Sequence, residues 1–164
     1  MKHTVLFLST LLLLISCGQF ADHYFKNACI YEEREEYGLA IKELDKAIEN
    51  DPKQLRFYMN RAWDYRSIGH RQKAIEDFRK VLQMDTNNVV ALWGIGYIYY
   101  EQGQYSGAVN CFNRIDSIKG GGPLYMQYVP NSFIGDNGPD VNMDDVWAIR
   151  KLCLEKLSRA KQLQ

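Results

Sequence analysis

The chain has 164 residues, with 20 basic and 20 acidic side chains, and 46% of it is hydrophobic. So even a charge balance leaves no electrostatic footprint for nucleic acid and no polybasic arm for anionic lipid. The length suits one domain with a real core. From the N-terminus, an apolar run extends from Val5 to Ile15, interrupted by Ser9 and Thr10. A bilayer-spanning helix needs about 20 apolar residues, so this run is too short to cross. With Lys2 and His3 in front and Ser16 behind, it reads as a secretory signal over residues 1–16.

Leu14-Ile15-Ser16-Cys17 resembles the lipobox of bacterial lipoproteins. That resemblance implies cleavage before Cys17, palmitate-type acylation of Cys17 and a short lipidated tether over 17–20. Several acyl chains on one residue exceed the two signals that stable anchoring requires. Gly18, in place of an aspartate, favours the outer membrane, facing the periplasm, over retention at the inner one. Without the resemblance, the segment is a plain secretory signal followed by an incidental cysteine. Cys29, Cys111 and Cys153 remain, an odd number at wide spacing, which is no disulfide framework. They also lack a zinc-ligand pattern. They read as small buried apolar residues, with one bridge left open.

The next hundred residues repeat. Ala40, Ala74 and Ala108 are evenly spaced, each followed four places on by Leu44, Phe78 or Phe112 and preceded by Tyr31, Tyr65 or Tyr99. Ala28, Ala62 and Gly96 form another column in the same phase, Gly69 matches Gly103, and Pro52 closes the first unit. Several columns in one phase mark a repeat. Within a unit, helical periodicity predicts a first helix over 57–68, stopped by the left-handed Gly69. A second helix over 71–84 presents Ala74, Ile75, Phe78, Val81 and Leu82 on one side. Asp85 to Asn88 supply a polar turn and a cap. A lone helix pair cannot bury its apolar face, so units must stack.

The period, the Ala-x₃-Phe of "AIEDF" and "AVNCF", the tyrosines and Pro52 resemble tetratricopeptide repeats. Three units then cover 21–118, at about 21–54, 55–88 and 89–118. Asn27 and Leu44, where the family prefers leucine and phenylalanine, make the first unit the most divergent. The resemblance implies an all-α, right-handed α-solenoid of three helix pairs. Residues 119–141, "KGGGPLYMQYVPNSFIGDNGPDV", are a Gly/Pro/aromatic insertion, and loops of this length are usually functional or disordered. Periodicity returns over 142–164, with Val146, Ile149, Cys153, Leu157 and Ala160 in one stripe, as a C-terminal capping helix.

In this family the first helices line a concave groove that holds another protein. The groove positions map onto Phe25, Lys26, Cys29 and Glu32, then Arg56, Met59, Asn60, Trp63 and Arg66, then Val90, Trp93, Gly94, Tyr97 and Tyr100. Trp63, Trp93, Tyr97 and Tyr100 lie outside the columns that build a repeat. They are candidate anchors or packing for the insertion and the last helix. Of the family's carboxylate-gripping lysine, arginine and asparagine cluster, only Asn60 is matched. The groove should therefore prefer an apolar or aromatic segment, with Arg56 and Arg66 as polar partners, and "PLYMQYVPNSF" of the insertion is itself such a segment.

No nucleophile–base arrangement, phosphate loop or cofactor motif is discernible. Asp140, Asn142 and Asp144 begin like a calcium loop, but Asp145 and Lys151 break the pattern. No metal, cofactor, nucleic acid or small-molecule substrate is expected. The function expected is a membrane-anchored adaptor or assembly factor of a bacterial envelope complex, not an enzyme. The alternatives are a self-associating structural subunit of the envelope and an enzyme accessory with a site on the 119–141 insertion.

Overall fold

A computed structural model describes residues 19–118 and 143–162. The signal segment 1–16, Cys17 and the 119–141 insertion lie outside the described residues. These form seven helices and no strand: α1 (19–33), α2 (Tyr37–Asn50), α3 (Leu55–Ser67), α4 (Arg71–Met84), α5 (Val89–Glu101), α6 (Tyr105–Ser117) and α7 (Met143–Gln162). The architecture is the all-α solenoid expected from the repeat. Short turns fold α1 on α2, α3 on α4 and α5 on α6, and α7 packs against α6 and α5.

The repeat columns are where the helices approach most closely. Ala28, Ala62, Ala40, Ala74 and Ala108 are fully enclosed, as are Leu44, Phe78 and Phe112. At Gly96 the approach is so tight that an added Cβ would lie 2.6 Å from the Phe112 ring. The core divides into two clusters. One joins α1, α2 and Phe57 of α3, and the other runs from Tyr58 to Cys153 of α7, with Ile48 packed against both.

The turns within each pair also repeat. The backbone N–H groups of Glu36, His70 and Gln104 donate to the carbonyls of Tyr31, Tyr65 and Tyr99 at 2.9, 2.7 and 2.8 Å. This closure needs a left-handed residue just before the donor. Gly69 (φ 81°) and Gly103 (φ 72°) supply it, but the first unit has Glu35 at φ 59°. A side chain there costs about 1–2 kcal/mol of backbone strain, partly offset by the entropy that glycine loses on folding. Glu35→Gly is therefore expected to stabilise the protein by about 0.5–1 kcal/mol, visible as a higher urea midpoint with an unchanged slope.

Between pairs, Asp51 and Asp85 do the same work one repeat apart. The Asp51 carboxylate accepts the Lys53 N–H (3.1 Å) and the Gln54 amide (2.9 Å), and Asp85 accepts the Asn87 N–H and the Asn88 amide (both 3.1 Å). Asn88 then caps α5 by accepting the Ala91 N–H at 3.0 Å. The Asp51 turn starts α3 at Leu55, two residues before the periodicity suggested, whereas α4 spans 71–84 as expected.

One polar contact recurs inside the first two pairs. Asn27 of α1 donates to Glu43 of α2 at 3.3 Å. One repeat later, Arg61 of α3 grips Asp77 of α4 with two bonds of 2.8 Å. Arg61 also reaches Asp45 of α2, so one guanidinium joins three helices. The third pair has Ile95 and Cys111 at these positions.

α7 closes the array. Val146 and Cys153 are buried, with Ile149 and Leu157 half-buried against the core. Asp116 of α6 accepts the Trp147 indole N–H (3.1 Å) and pairs with Arg150 (2.8 Å). Ala160, expected in the same stripe, is exposed, because the 20-residue α7 runs past the 13-residue α6. Cys29, Cys111 and Cys153 are free thiols, each pushed up chiefly by burial, Cys29 to about 11. Raised in this way, they are poor nucleophiles at neutral pH.

Candidate functional site: an aromatic inner surface

The first helices of successive pairs touch, α3 with α5 and α5 with α7, so they form the tighter, inner side of the curve. Phe25 of α1 packs on Phe57 with ring centroids 5.3 Å apart. The Arg56 guanidinium lies over both rings, 4.8 and 5.1 Å away, and pairs with Asp22. Met59 is buried. So is Asn60, whose amide donates to both Glu32 oxygens at 3.2 Å. That donor is therefore already engaged within the chain.

Farther along, two sets of rings are joined by the Arg66 guanidinium. Trp63 meets Phe78 edge-on at 4.9 Å. Arg66 is 6.0 Å from Trp63 and 4.7 Å from Tyr97, and hydrogen-bonds Glu101 at 2.8 Å. Trp93 lies 5.7 Å from Phe112 and 5.4 Å from Tyr97. The second set continues through Tyr100 (6.2 Å) to Tyr105 (6.3 Å). Trp63 and Trp93 are only 8% and 3% exposed. Tyr97, Tyr100, Tyr105 and Arg66 are half-exposed and form the accessible part.

The mapped residues are thus brought together in two groups, Phe25 with Arg56, and Trp63, Arg66, Trp93, Tyr97 and Tyr100. Tyr105 belongs to the second group and was missed, because it opens a second helix rather than lying on a first one. Its signal was its place one repeat after Arg71. Both mapped arginines carry acids from their own chain. The surface is accordingly apolar and aromatic with its charges paired, suited to rings and aliphatic side chains.

Beneath it lies a carboxyl of unusual chemistry. Asp64 is 3% exposed and its Oδ2 is buried with no hydrogen-bond partner. Burial first, and the Glu32 charge second, push it up to about 9. Burial also raises Glu32 despite the Asn60 hydrogen bond, and raises Tyr37 beside it. Among the described residues no group of three or more His, Cys, Asp or Glu side chains could hold a metal, and no helix is long and apolar enough to cross a membrane.

Stacked helix pairs around one inner surface define an α-helical repeat protein, a class whose members bind along that surface. Tetratricopeptide-repeat signatures match residues 21–54 and 69–125, together just over half of the chain. The described chain is a solenoid of tetratricopeptide repeats. It resembles the crystal structure of the Sgt2 repeat domain from Aspergillus fumigatus, with TM-score 0.62 and 20% identity over 87% of this chain and 82% of that one. It also resembles the TPR2B domain of yeast Sti1 in its complex with pHsp70, with TM-score 0.64 and 15% identity over 84% of this chain and 98% of that one. Among curated sequences, the human SGT1 homolog is 31% identical over 90 residues, 55% of this chain and 24% of that protein. A repeat-containing protein of Methanocaldococcus jannaschii is 27% identical over 92 residues, 56% of this chain and 16% of that one. The chain thus spans a quarter or less of these relatives.

Proposed function

We propose that this protein is a lipid-anchored interaction module that holds an apolar or aromatic segment of a partner protein on its inner surface. The observation that carries this reading is the half-exposed row of Tyr97, Tyr100 and Tyr105 seated on nearly enclosed tryptophans. Rings supported from below lose little freedom on binding and still offer large contact area. The TPR2B domain of Sti1, a similar fold, was solved in a complex with pHsp70, in keeping with a role in holding another protein. Here the donor of Asn60 is spent on Glu32 and both inner arginines are paired, which favours rings over a terminal carboxylate. The lipobox-like Leu14–Cys17 supports anchoring in a bacterial envelope, at the outer membrane and facing the periplasm, as adaptor or assembly factor without catalytic activity.

The test is an in-cell crosslinking capture with the full-length protein, comparing wild type, Tyr97→Ala/Tyr100→Ala and Cys17→Ala. Central aromatic anchors cost about 2 kcal/mol or more when truncated. A partner held by wild type should therefore fall at least about tenfold in the tyrosine variant, with circular dichroism unchanged. Cys17→Ala should leave the membrane fraction. Unchanged partners in the tyrosine variant would remove the inner surface as the binding site, and membrane retention of Cys17→Ala would remove the anchor.

A further inference from the structure

Buried side-chain atoms without a hydrogen bond are uncommon in folded proteins, and each calls for a reason. Two such atoms are acceptors one turn apart on α3, Asn60 Oδ1 and Asp64 Oδ2, and residues at this spacing share a helix face. Their side chains belong to residues only 4% and 3% exposed. The Asn60 nitrogen is held by both Glu32 oxygens, which leaves its carbonyl oxygen as the unused end. Glu32 of α1 also adds its charge to Asp64 from across the seam between the helices. Cys29 of α1 lies in the field of Glu32, and Tyr37 at the start of α2 lies in the field of both acids. Arg56, whose charge reaches Cys29, is paired with Asp22. Among the described residues no cation stands against Asp64.

Two unused acceptors and an acid without a cation thus meet at one place beneath the inner surface. We infer that this place is a subsite for a primary ammonium, the head of a lysine carried by the partner segment. The subsite rests on the proposed function and adds a lysine to the segment held there. An ammonium brings one charge and three donors in a compact head, whereas a guanidinium is a wide planar fork. Enclosure favours a lysine side chain over an N-terminal amine, because its apolar stem can pass between packed groups while the head stays polar. When the ammonium enters, Asp64 gives up the proton it holds when free, and that proton goes to solvent. Docking of rings alone releases none. A buried acid that costs stability is the kind of feature retained where binding uses it.

The test selects a random peptide library against the full-length protein in detergent micelles. The tightest binder is then titrated by calorimetry in buffers of different ionisation heat. It should carry a lysine near aromatic residues and release about one proton at pH 7, with affinity rising about tenfold per pH unit near neutrality. Norleucine in place of that lysine, or Asp64→Asn in the protein, should each weaken binding at least about tenfold. Both changes together should cost no more than either alone. Asp64→Asn keeps the size of the side chain, and circular dichroism checks its fold. Binders without lysine, a norleucine peptide that binds equally well, or binding without proton release would overturn the inference. Tyr97→Ala/Tyr100→Ala separates the two readings. Binding lost in the tyrosine variant but unaltered in Asp64→Asn would remove the lysine subsite and leave the tyrosine row. Binding lost in Asp64→Asn but unaltered in the tyrosine variant would remove the row and leave the subsite. A library that yields no binder would overturn both.

Discussion

A Phe78→Ala variant is expected to lose about 3–5 kcal/mol of folding stability. Phe78 is fully buried where the second pair meets the third. Its ring packs edge-on with Trp63 at 4.9 Å and presses on the α5 backbone, where a Cβ added at Gly94 would lie 2.5 Å from it. Removing the ring opens a cavity at a junction between units rather than inside one. A second substitution makes the prediction sharper. In wild type, Gly94→Ala combines a gain of about 1 kcal/mol in helix propensity with an overpacking cost of about 1–3 kcal/mol, so it is neutral or destabilising. In the Phe78→Ala background the clash is gone and only the gain remains, so the same change should stabilise. Urea unfolding of the four proteins gives the coupling directly. Additive effects would show that the ring does not press on α5.

Replacing Asp64 by asparagine should stabilise the protein, the reverse of what loss of a buried charge-bearing group suggests. Asp64 holds its proton up to about pH 9 when folded, whereas an unfolded aspartate releases it near pH 3.9. Between roughly pH 4 and pH 9 the folded chain thus binds a proton that the unfolded chain has given up. Stability must therefore fall as pH rises through that window. Asparagine cannot titrate, so its curve should be flatter, and at pH 7 the variant should be ahead by about 2–4 kcal/mol. Glu32, also raised by burial, leaves a residual slope in both proteins. Unfolding curves from pH 5 to 8.5 decide the matter, with the gap expected to widen as pH rises. A constant gap would mean that Asp64 is ionised in the folded state.

The sequence made the repeat legible because close helix approach demands small residues at fixed intervals, and the alanines of 28, 62, 40, 74 and 108 are all enclosed. The turns were legible for the same reason, since a left-handed closure selects Gly69 and Gly103. Arg61 and Asp64 were not read. They stand one repeat before Ile95 and Ile98, and matching columns by their common residue hides the exceptions, although those exceptions carry a bridging guanidinium and a buried carboxyl. The depth of Trp63 and Trp93 was also out of reach. Whether a ring at such a position lies in the groove or beneath it depends on how neighbouring helices cross, which spacing along one chain does not encode. The mapped positions fall into two groups, with Met59, Asn60, Trp63 and Trp93 buried, and Tyr105 joins the second group from a helix that the groove pattern ignores.

Arg61 has a mechanical consequence. A superhelix widens or narrows by changing the angle between successive pairs, and at the first junction that angle is pinned by a guanidinium bonded to Asp45 of α2 and Asp77 of α4. Directional bonds resist rotation in a way that apolar contact does not. At the second junction the positions one repeat after Arg61 and Asp77 are Ile95 and Cys111, and the directional bonds run elsewhere, from Arg66 and Arg71 to Glu101 and from Arg79 to the Tyr99 hydroxyl. Both joints of the array are therefore restrained against rotation, the first by one central guanidinium and the second by several separate bonds, so a bound segment would meet a surface of nearly fixed curvature.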